Sequence, residues 1–124
     1  MEYVWVGLGG LIGANARFAV GRLAAERLGA AFPYGTFLVN ATGSLAIGVL
    51  LTLLAARTTD PAGRLLLVTG VLGGYTTFSA FTFETVALAR DGHWGRAALY
   101  VVASNLVGLV ACWGGMAVGR LLVR

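Results

Sequence analysis

The sequence is short of what a soluble catalyst is built from. Its 124 residues include one cysteine (Cys112), one histidine (His93), two prolines and five acidic residues against nine arginines. A single cysteine excludes a disulfide framework and any paired-cysteine metal motif. His93 stands alone in a polar link between Arg90 and Arg96. With neither a nucleophile–base pair nor a metal cluster, the composition argues against an enzyme. Charged residues make up only 11% of the chain and apolar ones 58%, too little polarity to cover a soluble domain of this size. There is no internal repeat, no low-complexity tract and no room for a second, soluble domain.

What the chain has instead is long apolar runs. Four stand out, over residues 3–23, 34–56, 65–89 and 97–122. Each is close to the run of about 20 residues that crosses a hydrocarbon core. The links between them, AERLGAAFP, RTTDPAGR and RDGHWGR, hold Pro33 and Pro61, where a missing amide hydrogen does no harm. Glu2 precedes the first run and Arg17 interrupts it, so it reads as a retained span rather than a cleaved leader. The expected fold is an all-α membrane protein of four transmembrane helices forming one integral domain, residues 1–124.

The net charge of +4 comes entirely from arginine. In such a chain it concerns lipid head groups and orientation, not nucleic acid. Four spans place both termini on one side with the middle link, which gathers Arg57, Arg64, Arg120 and Arg124. The other side holds Arg22, Arg27, Arg90 and Arg96. That balance leaves two outcomes open. A weak bias still selects one orientation, or copies insert both ways and pair as an antiparallel homodimer.

Small residues recur at close-packing intervals: Gly9 with Gly13, Gly10 with Ala14, then Gly43 and Gly48, and Gly108, Gly114, Gly115 and Gly119. Lipid supplies no hydrophobic drive between helices, so backbones that approach closely gain most by dispersion. These glycines read as packing devices.

Polar groups inside spans are costly, and each tends to face a cavity or a partner. They comprise Asn15 and Arg17; Asn40, Thr42 and Ser44; and Tyr100, Ser104 and Asn105. The hydroxyls of Thr52 and Thr69 are expected to bond carbonyls of their own helix. Asn40 is different, because its amide has two donor hydrogens that a single helix cannot serve.

The most polar stretch, GGYTTFSAFTFE at residues 73–84, lies inside the third apolar run. Paired glycines and then paired β-branched residues have poor helix propensity, which predicts a helix break near the bilayer midplane. Irregular backbone at that depth is tolerated only where it is buried in protein or lines a wet path. A break frees carbonyls that attract a cation and amides that attract an anion, so Gly73 to Thr76 is a candidate ion site. Phe78 and Phe81, three apart, would share a face of a resumed helix. They read either as packing or as positive ring edges presented to an anion. Thr77, Ser79, Asn40 and Tyr100 could then replace the anion's lost hydration by weak, multi-site donation.

Three motifs in this order, GGLIGANARF (9–18), GTFLVNATGSLAIG (35–48) and GGYTTFSAFTFE, resemble the small fluoride channels of the Fluc or CrcB type. The resemblance covers nearly the whole chain. It implies an antiparallel, dual-topology homodimer in the plasma (inner) membrane, with two pores that let fluoride leave the cell passively and so lower its toxicity. It further implies a structural Na+ at the dimer centre, held by backbone carbonyls of Gly73 and Thr76. Phe78, Phe81, Asn40, Tyr100 and Ser104 match pore positions, and Arg17 matches an arginine that makes a vestibule electropositive. Ala80 departs from a frequent threonine and Leu45 from a frequent phenylalanine. The rival reading is a small dual-topology drug–proton antiporter, which needs an intramembrane carboxylate; Glu84 is its only candidate.

Overall fold

The computed structural model describes residues 1–56 and 60–124. Arg57, counted above on the middle link, lies outside the described residues. The elements are α1 (Glu2–Leu28), α2 (Tyr34–Ala56), α3 (Pro61–Arg64), a π-helical stretch π1 (Leu65–Leu72), α4 (Gly73–Tyr75), α5 (Phe78–Arg90) and α6 (Trp94–Val123). They make four spans long and apolar enough to cross a membrane: Glu2–Leu28, Tyr34–Ala56, Pro61–Arg90 and Trp94–Val123.

The helices outrun the apolar segments. α1 continues through Ala-Glu-Arg-Leu, all good helix formers, and Arg22 Nε donates to Glu26 one turn on at 2.9 Å. It stops at Gly29, whose φ of 82° suits a residue without Cβ and whose N–H returns to Ala25 O at 3.1 Å. α6 begins at Trp94, three residues before the apolar run, just after the turn at Gly92. Hydropathy marks the part of a helix that lies in lipid, not its polar ends.

Inside the third span the chain leaves helical geometry at two residues. Thr76 (φ −82°, ψ 158°) and Thr77 (φ −152°, ψ 124°) are extended. The paired glycines just before them stay helical. Gly74 is needed for contact: a Cβ there would meet Gly10 O at 2.8 Å and Ala14 N at 3.2 Å. Thr77 then starts α5 as its N-cap, its Oγ1 accepting from Ala80 N at 3.2 Å.

Two glycine seams set the packing. α2 and α6 share the most extensive contact, and a Cβ on Gly48 would come within 2.9 Å of Met116 N. α1 lies along π1, where a Cβ on Gly70 would meet Gly9 Cα at 2.7 Å. Among the described residues the buried apolar side chains are few: Ala24, Val39, Leu72, Ala97 and Tyr100. Large side chains such as Phe18, Phe83, Leu109 and Trp113 face outward. An apolar exterior on this scale belongs against lipid or another protein surface.

Candidate ion pathway

Helices α2 and α6 each carry polar residues at four-residue spacing, Thr36–Asn40–Ser44 and Tyr100–Ser104, so each set lies along one helix face. Asn40, Ser44 and Ser104 from these faces line, with the third span, an open groove of about 410 Å³. Its polar lining includes Asn40, Ser44, Thr76, Thr77, Ser104 and Asn105, and its apolar lining includes Leu72, Phe78 and Phe81.

Asn40 fixes the extended residues. Its Nδ2 donates to Thr77 O and its Oδ1 accepts from Thr77 N, both at 2.8 Å. The side chain thus pairs with one residue's backbone as a neighbouring β-strand would. The amide that a single helix could not satisfy is answered by the one residue whose backbone a helix could not satisfy. One Nδ2 hydrogen remains for the groove. In an unbroken helix the Thr77 N–H would reach the Gly73 carbonyl, and Asn40 diverts it. Arg17 acts on the preceding carbonyl, its Nη1 lying 3.3 Å from Thr76 O.

The aromatic rings form a chain. Phe78 and Phe81 have centroids 5.7 Å apart, Phe81 and Tyr100 5.1 Å, and Tyr100 and Phe32 5.3 Å. Phe78 is 76% exposed while Tyr100 is fully buried. The two phenylalanines do share a face of α5, Phe78 standing open at the groove and Phe81 packed beneath.

Tyr100 does not line this groove. Its hydroxyl donates to Glu84 Oε2 at 2.7 Å, and Thr36 Oγ1 donates to Glu84 Oε1 at the same distance. Glu84 and Thr36 line a second cavity, of about 350 Å³, beside Phe32, Tyr34 and Phe83. Ser79 also lies off the main groove, its Oγ 3.3 Å from Thr77 Oγ1. Gly73, Thr76, Thr77, Asn40, Phe78, Phe81 and Ser104 come together on it, whereas Arg17, Ser79 and Tyr100 do not. Ser104 Oγ is buried without a hydrogen-bond partner among the described residues.

Polar residues that the sequence reading gave no role at these sites include Ser44 and Asn105 on the groove, and Thr36 on Glu84. The spacing that places Thr36 and Ser44 one turn either side of Asn40 is the signal that finds two of them. Asn105 was marked only as a costly polar group within its span, and its Nδ2 returns to Val101 O at 2.7 Å. Thr52 behaves as expected, its Oγ1 on Gly48 O at 2.8 Å.

Residues 4–116 match the family described as CrcB-like protein, Camphor Resistance (CrcB). The chain belongs to the CrcB family. A relative from Acidobacterium capsulatum named fluoride-specific ion channel FluC is 50% identical, with 99% of each chain covered. One of the same name from Chloroflexus aurantiacus is 50% identical over 93% of this chain and 92% of its own. A third, from a Roseiflexus species, is 46% identical over 98% and 99%. With four apolar spans and membership of this family, the chain is a multi-pass membrane protein. Arg17, Asn40 and the 73–84 stretch all lie inside the matched residues.

Proposed function

We propose that this CrcB-family protein is a fluoride-selective channel that lets fluoride leave the cytoplasm passively across the plasma (inner) membrane. The observation that carries the reading is the groove itself, whose lining brings two phenylalanine rings together with amide and hydroxyl groups. An anion there would lie among Asn40, with its spare Nδ2 hydrogen, the Phe78 and Phe81 rings, and Ser104, whose buried hydroxyl has no hydrogen-bond partner among the described residues. None of these is a fixed positive charge, so binding stays weak enough to release. The family and the names of its relatives support fluoride as the ion.

The working unit in this reading is an antiparallel homodimer of dual topology, in contact with membrane lipid. Its support is that the groove is open, with Phe78 and Gly73 exposed in the single chain. A second copy would close it.

A structural Na+ at the dimer centre belongs to the same reading. Among the described residues no cluster of His, Cys, Asp or Glu is placed to hold a metal ion, and in this reading the donors are backbone carbonyls. The Gly73 carbonyl fits, because Asn40 has taken the N–H that would otherwise occupy it. The Thr76 carbonyl retains a second lone pair beside the one engaged by Arg17. Two such oxygens from each of two copies would make an all-oxygen site of the hard kind such a cation prefers. Bound sodium would tie the two copies together there.

The decisive experiment is efflux from liposomes loaded with fluoride or chloride, followed with ion-selective electrodes under a set membrane potential. Rapid fluoride loss with chloride retained is expected. Proton-coupled uptake of an organic cation without fluoride loss would instead assign an antiporter working through Glu84.

A further inference from the structure

The Thr76 carbonyl and the Thr77 N–H are the two ends of a single peptide group, and α1 and α2 each hold one of them. Arg17 Nη1 donates to the carbonyl at 3.3 Å, while Asn40 Oδ1 accepts from the N–H at 2.8 Å. A trans peptide points its C=O and N–H in opposite directions, so the two side chains grip the group from opposite sides. The residues on either side of this bond are extended, and helical hydrogen bonds do not fix its orientation. Thr77 is also the N-cap of α5, the helix that carries Phe78 and Phe81.

From this geometry we infer that Arg17 is a positioning residue for ion passage, acting through the Thr76–Thr77 peptide together with Asn40 rather than as a charge in the vestibule. A guanidinium suits the task. It is planar, permanently charged and less strongly hydrated than an ammonium, so it can commit a donor to one carbonyl in a partly buried place. Arg17 does not line the groove, so its influence reaches the ion through the peptide. If the peptide turns, the Gly73 carbonyl regains a competing donor, Asn40 loses its anchor, and the first turn of α5 shifts the phenylalanine rings.

The two roles for Arg17 differ in what they change. A vestibule charge raises the local fluoride concentration, so its loss raises half-saturating fluoride, leaves the maximal rate, and matters less at high salt. A clamp sets the conducting geometry, so its loss lowers the maximal rate and leaves half-saturation alone at any ionic strength.

The test is fluoride efflux from liposomes at graded fluoride, at low and high ionic strength, for Arg17→Lys, Arg17→Gln, Asn40→Ala and the double variant Arg17→Gln/Asn40→Ala. Arg17→Lys keeps the charge but replaces the fork by a point donor, and is expected to lower the maximal rate by about threefold or more. Arg17→Gln should cost about tenfold, and clearly less than that again in the Asn40→Ala background, because residues gripping one group are not additive. Hydrogen exchange at the Thr77 amide should rise by about tenfold in Arg17→Lys, a readout independent of flux.

Wild-type efflux in Arg17→Lys with unchanged Thr77 exchange would overturn the inference. So would raised half-saturation alone, or full additivity with Asn40→Ala. Should Arg17→Gln not assemble, Arg17→Lys carries the same comparison. The inference rests on the channel reading. A wild-type protein that does not release fluoride defeats that reading, while a conducting wild type with a normal Arg17→Lys defeats only the clamp.

Discussion

The buried hydroxyl of Tyr100 donates to Glu84 Oε2 at 2.7 Å, joining α6 to α5. Thr36 on α2 completes the arrangement at Oε1, 2.7 Å away. Three helices therefore meet on one carboxylate, in a place where a polar group without a partner costs several kilocalories. Tyr100→Phe keeps the ring and its stacking on Phe81 but leaves Oε2 without this donor. A loss of about 1–3 kcal/mol in stability is expected, read as a lower melting temperature in detergent. An unchanged melt would mean that another donor takes over at Oε2.

The phenylalanines separate by burial. Phe78→Ile removes a ring that packs chiefly on Phe81 and should leave melting nearly unchanged while cutting fluoride efflux by about tenfold or more, the effect of ~1.4 kcal/mol on a barrier. Phe81→Ile removes a ring wedged against Tyr100 as well. It should lose efflux and also about 1 kcal/mol of aromatic pairing. Both variants should still assemble as the wild type does, as the proposed dimer, by size-exclusion chromatography. Undiminished efflux in both would take the rings out of the ion path.

Asn40→Asp keeps an acceptor for the Thr77 N–H but sets a carboxylate oxygen against the Thr77 carbonyl. The expected cost is about 1–3 kcal/mol of stability, with impaired fluoride passage because a negative charge now stands on the groove. Efflux at the wild-type rate would show that the ion does not pass Asn40.

The glycine seams give a paired test. Gly70→Ala places a methyl group between two backbones, 2.7 Å from Gly9 Cα and 2.9 Å from Val6 O, and should destabilise by about 1–3 kcal/mol as an overpacked core does. Gly95→Ala, with nothing within 4 Å of its Cβ, should be neutral or slightly stabilising, since alanine is the better helix former. Thermal melts of the two would separate close packing from helix propensity.

Sodium replacement addresses the carbonyls of Gly73 and Thr76. On the proposed sodium-centred dimer, exchanging Na+ for a bulky organic cation, or sequestering it with a crown ether, should weaken dimerisation and lower efflux, read by cross-linking yield across a concentration series. A dimer indifferent to the cation would remove the ion from the architecture.

The order of the apolar runs was enough to locate four spans, because about 20 consecutive apolar residues have no stable place outside a membrane or a large core. Their ends were not legible: α1 runs on to Leu28 because helix propensity and the Arg22–Glu26 pair continue where hydropathy has stopped. The stretch at 73–84 was visible as an irregularity, and of its two weak helix-forming pairs the chain departs at Thr76–Thr77 while Gly73–Gly74 stay helical. Gly74 is required because Gly10 leaves no space for a Cβ there, and the departure at Thr76–Thr77 is held by Asn40, thirty-seven residues earlier, which supplies the partner that a helix would have supplied.

Composition and local pattern thus determined that this chain lives in a membrane, where its helices lie, and which polar residues needed an explanation. The tertiary structure decided how they are used. It set Arg17 and Asn40 on one peptide, took Tyr100 off the groove and onto Glu84, and brought Ser44 and Asn105 into the lining. Periodicity fixes which face of a helix a residue occupies. Which other face it meets depends on how closely backbones approach at Gly9, Gly48 and Gly70, and that is settled only when all four spans pack together.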